Sequence, residues 1–281
     1  MATTEPQLVH LYDTTVRPCA VYGNCATATA NFVNNDALLQ SALGDVMIVV
    51  PALIGMFWGA PLVARELETN TFLLIWTQSV TRERWLTVKL GVVGLASIGV
   101  TALFSLMVTW WFSPIDSVNM NRFVPGVFDE RAIVPIGYAA FAFTLGVALG
   151  AIIRRTLPAM AATLAGFIAA RLVVSQLVRP YFQSPLTFLT LGTRGPLPVV
   201  AGSVTPPHPD DWVLSHWTDA SCTIGSGASA RACSGALRRI GFTYQPADRY
   251  WPFQWYETAI YVGLALLIAT FCFLWVRRRL A

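Results

Sequence analysis

The chain has 281 residues, of which 55% are hydrophobic and 12% are charged, and its formal net charge is +4. Soluble domains carry roughly a quarter charged residues. This composition therefore excludes an ordinary soluble globular protein.

Five segments are long and apolar enough to cross a bilayer, which takes about 20 mainly apolar residues. We expect helices, because the segments lack the alternation of barrel strands and a helix satisfies its own backbone hydrogen bonds in lipid. The predicted fold class is an all-α polytopic membrane protein. The predicted spans are Leu43–Ala64, Leu90–Phe112, Ala132–Ile153, Ala159–Val178 and Tyr256–Val276.

Basic residues next to the spans predict the orientation of the chain. They concentrate in the insert 65–89, at Arg154 and Arg155, and at Arg277–Arg279. Short loops rich in positive charge stay in the cytoplasm, so these segments are predicted to be cytoplasmic. The predicted organisation is an external segment 1–42, four spans within 43–178, an external loop or small domain 179–255, and the last span with a cytoplasmic tail, 256–281.

Four of the five cysteines lie in the segments predicted to be external, where disulfides persist. The simplest pairings are Cys19–Cys25 and Cys222–Cys233, each stabilising the fold by about 2–3 kcal/mol. Four unpaired thiols are the alternative. We expect no metal site, because the histidines lack ligand-like spacing to the cysteines.

The polar N-terminal segment has neither the basic start nor the apolar core of a signal peptide. Two alternatives follow: the segment crosses the membrane unaided, or a further span precedes the given sequence. The second alternative is favoured, and it predicts six spans with both ends in the cytoplasm.

The insert between the first two spans combines charged and aromatic side chains. Glu66 and Glu68 follow the first span directly, and Thr81 is suited to cap a helix that continues through Trp85 and Lys89 into the second span. Such a segment is either a simple interfacial anchor or a surface that a soluble partner holds.

Three stretches of this region resemble the membrane permeases of ABC-2-type transporters, and actinobacterial ones in particular. They are Gly59-Ala-Pro-Leu-Val-Ala-Arg-Glu-Leu-Glu, Trp76-Thr-Gln-Ser-Val-Thr-Arg and Arg84-Trp-Leu-Thr-Val-Lys-Leu. Asn70 stands where glycine is usual in that family. The end of the chain is similar too, in Tyr244-Gln-Pro-Ala-Asp-Arg-Tyr-Trp-Pro-Phe-Gln-Trp-Tyr-Glu and Trp275-Val-Arg-Arg-Arg. These permeases usually carry one more helix before the first span found here, which again favours a preceding span.

The resemblance implies an ABC-2 permease-like bundle that forms half of a transporter in a bacterial plasma membrane. It would pair with a separate ABC ATPase subunit, with a second permease copy or a paralogue, and with membrane lipid. The first insert would be the coupling element that docks on the ATPase. Its coupling residues would be Glu66, Glu68, Thr71, Arg82, Trp85 and Lys89.

We expect neither catalysis nor a cofactor in this chain itself. It has no Gly-x-x-x-x-Gly-Lys-Ser/Thr run, and its single lysine is Lys89. ATP and Mg²⁺ would therefore bind to the partner ATPase. The histidines His10, His208 and His216 are isolated, and we expect no nucleic-acid partner.

Arg171 lies inside the fourth predicted span, where a charge costs roughly 3 kcal/mol or more near the centre of the bilayer. Its side chain either extends along the helix to the interface or takes part in a polar translocation path or an interhelical hydrogen bond.

Three functions are consistent with the sequence. The favoured one is the permease subunit of an ATP-driven exporter of amphipathic or lipid-like molecules. The second is an ATPase-coupled protein that transmits force without moving a solute. The third is a self-contained secondary transporter, which would show internal repeats and further ionisable residues inside the spans.

Overall fold

A computed structural model describes residues 5–22, 25–35, 37–69, 82–116, 122–123, 125–192, 199–200, 210–220 and 238–279. Within these ranges, five helices are long and apolar enough to cross a membrane, which confirms a polytopic helical membrane protein. We call them the first to fifth spans: Ala37–Glu68, Arg84–Asp116, Val134–Ile153, Thr156–Tyr181 and Ala247–Arg277.

Two of the spans contain π-helical turns. The first span is α-helical over Ala37–Leu53 and Ala60–Glu68, with a π-helical stretch between them at Ile54–Gly59. This stretch follows Pro51, which has no N–H to donate to the helix. The fourth span is α-helical over Thr156–Val173, π-helical over Val174–Val178 and 3₁₀-helical over Arg179–Tyr181.

The other spans are regular over most of their length. The second begins as a helix at Arg82 and continues to Asp116, and the third is Val134–Ile153. A short helix, Pro125–Glu130, lies between them. The fifth begins with a 3₁₀ turn, Ala247–Arg249, and continues as the helix Tyr250–Arg279.

The third span is the centre of the bundle and contacts the other four. Glycines allow it to pack closely on the first span. A Cβ atom at Gly146 would lie 2.3 Å from the carbonyl oxygen of Gly55, and one at Gly150 would lie 2.5 Å from that of Ala60. Small residues at a helix interface permit this approach of two backbones.

The spans alternate in direction, so the charged segments meet at one end. Arg154 ends the third span with a φ of 58°, and only Arg154 and Arg155 separate it from the fourth. We call this the arginine-rich end and the opposite one the sheet end. The arginine-rich end carries Arg65, Arg84, Arg154, Arg155 and Arg277.

The N-terminal segment folds into short helices against the first and second spans at the sheet end. Its buried side chains Leu8, Val16 and Phe32 share an apolar cluster with Met47 and Trp111. A disulfide joins Cys19 and Cys25 in this segment. The segment comprises Glu5–Leu11, a π-helical turn Tyr12–Val16, Arg17–Tyr22 and Ala26–Asn35.

The chain between the fourth and fifth spans forms an antiparallel sheet that the sequence analysis did not predict. From one edge to the other, its strands are Val199–Val200, Leu186–Gly192, Arg238–Gln245 and Trp212–Ala220. Trp217 on one strand lies opposite Gly241 on the next, and a Cβ atom at Gly241 would lie 2.4 Å from the indole ring. The predicted Cys222–Cys233 pair lies outside the described residues.

Polar side chains attach the base of the sheet to the ends of the fourth and fifth spans. The Gln245 amide Nε2 donates to the carbonyl oxygens of Pro180, at 3.0 Å, and Gln183, at 2.8 Å. Arg249 Nη1 donates to the carbonyl oxygen of Ser184 at 2.8 Å. These hydrogen bonds therefore attach the base of the sheet to the helix bundle.

Candidate functional site

At the arginine-rich end, Glu66 and Lys89 form an ion pair between the first and second spans. Lys89 Nζ also donates to the carbonyl oxygen of Leu62 at 3.0 Å and lies 4.6 Å from the centroid of the Trp85 ring. Both members of the pair are largely shielded from solvent, with 26% and 19% of their side chains exposed. The pair therefore fastens together the two helices that the insert connects.

Glu68 makes a separate contact with the start of the fourth span. Its carboxylate Oε2 accepts hydrogen bonds from the Thr156 backbone N–H at 3.0 Å and from the Thr156 hydroxyl at 2.7 Å. The first backbone N–H groups of a helix have no partner within the helix, and negative charge is favourable there. Glu68 thus acts as a capping acceptor from a different span.

The structure brings together three of the six predicted coupling residues. Glu66, Trp85 and Lys89 come together, and Trp85 is buried beside Leu86 and Val276. The Trp85 ring therefore packs between helices and presents little surface to a partner. Glu68 contacts Thr156 instead. Arg82 is the first residue of the helix that forms the second span, and Thr71 lies outside the described residues. Their coupling role stays a prediction.

A second group of charged side chains is buried near the sheet end. We call it the ionic cluster: Asp129, Tyr138, Arg171, Arg179 and Glu257. At its centre, Arg179 Nε donates to Glu257 Oε2 and Arg179 Nη2 to Glu257 Oε1, both at 2.7 Å. Arg179 is 1% exposed and Glu257 is 0% exposed. Two parallel hydrogen bonds make this the strong bidentate geometry of an arginine–carboxylate pair.

Asp129 completes the ionic cluster from the short helix between the second and third spans. It accepts from Arg179 through Oδ1 and from Arg171 Nη2 through Oδ2, the latter at 2.8 Å. The Tyr138 hydroxyl of the third span is 3.1 Å from Asp129 Oδ1 and 2.5 Å from Glu257 Oε1. Two arginines and two carboxylates from three segments of the chain thus neutralise one another, and the Tyr138 hydroxyl joins them from a fourth.

The burial of these charges explains why they must be paired. Removing a charge from water costs several kcal/mol, and only good geometry with a partner offsets that cost. Arg171 therefore makes an interhelical contact, one of the alternatives left open above. The sequence analysis placed Arg179 at the start of the external segment and did not select Asp129 or Glu257. Arg171 and Arg179 are eight residues apart, and residues at this spacing lie on the same face of a helix. This spacing was the sequence signal that could have indicated a shared polar site.

A smaller group of polar contacts holds the end of the second span. Arg131 pairs with Asp116 and lies 3.8 Å from the centroid of the Phe112 ring. Ala132 has a φ of 61°, and the Ser105 hydroxyl donates to its carbonyl oxygen at 2.7 Å. These contacts fix the direction in which the chain enters the third span.

Next to the ionic cluster, a cleft of about 580 Å³ separates the first span from the fourth. Its polar end is formed by Asp129 and Arg171, together with Ser175 and Gln176. Its walls are apolar and include Ile48, Ala52, Met56, Leu164 and Ile168. Within the ranges that the structure describes, no group of three or more His, Cys, Asp or Glu side chains is placed to hold a metal ion.

These features define a multi-pass helical membrane protein. A comparison with protein-family models matches residues 1–179 to the family described as ABC-2 membrane transporter related. The match covers more than half of the 281 residues, and the chain therefore belongs to this family. It is a permease subunit of an ABC transporter, and permeases of this kind generally work with an ABC ATPase.

The matched region includes the first three spans, the insert and most of the fourth span up to Arg179. The sheet and the fifth span, with Glu257, lie beyond it. Searches of curated proteins and of solved structures found no match to this chain.

Proposed function

We propose that this chain is the permease half of an ATP-driven exporter of amphipathic or lipid-like molecules in a bacterial plasma membrane. A separate ABC ATPase subunit would bind ATP and Mg²⁺ and act on the insert 65–89. The observation that carries the proposal is the family match together with the contacts that tie both sides of this insert to the bundle.

Those contacts give a physical path for force. Glu66 and Lys89 link the first span to the second, and Glu68 and Thr156 link the first to the fourth. A displacement of the insert would therefore move three spans together, because each contact joins different helices directly. This arrangement suits coupling between an ATPase and a bundle that must change shape.

The distribution of charge supports the orientation that coupling requires. An ATPase subunit needs the insert in the cytoplasm, and the basic residues of the arginine-rich end favour that side. The sheet end would then face outward. A second permease copy or a paralogue would complete the pathway.

The proposal is tested by expressing the chain with an ABC ATPase encoded beside it and purifying through a tag on the permease. ATP hydrolysis is then measured in lipid discs. We expect the ATPase to co-purify and its activity to fall several-fold when Glu66 and Glu68 are both replaced by Ala. Asp248→Asn, which changes an exposed carboxylate at the sheet end, is the matched control and should leave activity unchanged.

A chain that purifies alone and does not alter ATP hydrolysis would overturn the proposal. Hydrolysis that depends on Glu66 and Glu68, but moves no lipid-like solute across sealed vesicles, would instead support the force-transmitting alternative.

A further inference from the structure

We propose that the cleft between the first and fourth spans binds a lipid with an acidic head group, the head at Arg171 and the chain along the apolar walls. The identification of this lipid as cargo rests on the proposed function, whereas the binding itself requires no ATPase.

The walls of the cleft suit an extended hydrocarbon chain. On the fourth span, the apolar lining extends from Leu164 to Leu172, which is roughly 12 Å of helix at 1.5 Å per residue. Leu53, Ile168 and Leu172 are exposed along it, although each is a large apolar side chain. These side chains match the apolar character of a lipid tail, so an alkyl chain can pack against them through van der Waals contacts.

The charged end of the cleft has hydrogen-bond donors to offer and few free acceptors. Asp129 already accepts from Arg179, Arg171 and the Tyr138 hydroxyl. Arg171 has five N–H donors, and the contacts within the described residues use one of them, from Nη2 to Asp129. A ligand rich in acceptors, such as a carboxylate or a phosphate, fits this balance better than a cationic head group.

The ionic cluster does not need Arg171 for its own centre. Arg179 alone contacts both Asp129 and Glu257, and the Arg171 side chain is 15% exposed where that of Arg179 is 1% exposed. Arg171 is therefore the member of the cluster placed to meet a ligand in the cleft.

A second cavity, of about 430 Å³, adjoins the cleft beneath the sheet. The two cavities share Pro125, Ser175 and Gln176 as lining residues. The second cavity is also lined by Tyr181, Ser215 and Thr243. A polar head group therefore has room toward the sheet end, while an apolar chain fits toward the middle of the bundle.

The test uses two photoactivatable probes of equal chain length, a fatty acid and the corresponding fatty alcohol, added to the full chain in detergent. Labelled peptides are located by mass spectrometry. We expect the acid to label the first and fourth spans around the cleft at least about tenfold more strongly than the alcohol, since only the acid accepts a charge-assisted hydrogen bond from Arg171.

Three variants distinguish the effect of the Arg171 charge on labelling from the effect of the space in the cleft. Arg171→Gln should lower labelling by the acid at least about tenfold and leave that by the alcohol unchanged. Ile168→Trp, which fills the cleft, should block both probes. Arg154→Gln, an exposed arginine at the opposite end, should behave like the parent chain.

Equal labelling by acid and alcohol, or acid labelling that survives both Arg171→Gln and Ile168→Trp, would overturn the proposal. If acid labelling follows the expected pattern but no ATPase couples to the chain, the proposed function fails while this site stands.

Discussion

Arg179 and Glu257 are 78 residues apart in the sequence and meet through two hydrogen bonds of 2.7 Å. This pair joins the end of the fourth span to the fifth, and Asp129 and Tyr138 surround it. At the sheet end, buried arginine and carboxylate side chains thus contact one another inside the protein. The stability of this ionic cluster depends on Arg179, which contacts both Asp129 and Glu257.

Replacing Arg179 with Gln should destabilise the protein by about 3–5 kcal/mol, because Asp129 and Glu257 would remain buried without their counter-charge. The loss is measured as a fall in the thermal unfolding midpoint in detergent. Arg154→Gln, an exposed arginine, is the control and should change the midpoint little.

The double variant Arg179→Gln with Glu257→Gln tests the interaction itself. Residues in one buried network are not additive, so the double variant should be clearly less destabilised than the sum of the two single changes. Strict additivity would show that the pair contributes no coupling.

Exchanging the charges of Glu66 and Lys89 should distinguish an internal role from a docking role. Each single change, Glu66→Lys or Lys89→Glu, places like charges side by side between the first and second spans and should reduce ATPase coupling several-fold. The double exchange restores an ion pair and should recover most of the coupling. If Glu66 instead contacts the ATPase directly, the double exchange will remain as impaired as the single change.

Gly146→Ala should destabilise the bundle by about 1–3 kcal/mol, because the new Cβ atom would lie 2.3 Å from the backbone oxygen of Gly55. The backbone of Gly55 cannot rotate away from the new Cβ atom as a flexible side chain could. The first and third spans must therefore move apart in this variant. Gly99→Ala is the matched control, since a Cβ atom there meets nothing within 4 Å. Equal unfolding midpoints for the two variants would contradict the close packing described here.

Glu130 should make stability depend on pH. Burial raises the pKa of its carboxyl above the ordinary value of 4.5, and the charges of Asp129 and Asp45 raise it further, while Arg131 and Arg171 oppose the shift. The folded state therefore holds this proton more tightly than the unfolded state. Linkage then requires stability to fall as pH rises from 4.5 through the raised pKa.

Glu130→Gln removes this titration and should unfold at a higher temperature than the parent chain at pH 7. The difference should vanish below pH 4.5, where the parent carboxyl is protonated in both states. Asp248→Asn, at an exposed position, serves as the control. A difference that grows toward low pH would contradict the direction given for Glu130.

The spans could be predicted from the sequence because a long apolar run has few alternatives in lipid. The predicted second span, Leu90–Phe112, lies within the observed helix Arg82–Asp116. The residues from Arg82 to Lys89 were assigned to the insert, and the helix predicted to continue through Trp85 and Lys89 into the second span is present from Arg82 onward. Hydropathy locates the membrane part of a helix and not the helix itself.

The ionic cluster and the sheet could not be predicted in the same way. The local sequence around Arg179 does not indicate that its partner is Glu257, because the pairing depends on how the fourth and fifth spans pack. The strand Leu186–Gly192 is short and lies among Pro and Gly residues, so its pattern was too weak to indicate a sheet. Its partners come from far along the chain, which local propensity does not report.

The sheet leaves the bundle and returns to it at one place, because Gln245 and Arg249 fasten the return to Pro180, Gln183 and Ser184. The Arg179–Glu257 pair joins the fourth span to the fifth next to these two stems. The base of the sheet also packs on the bundle, because Trp212 lies against Phe123. A lineage could therefore enlarge or exchange the strands beyond this base while the five helices kept their arrangement, and a protein engineer could splice a new binding domain there.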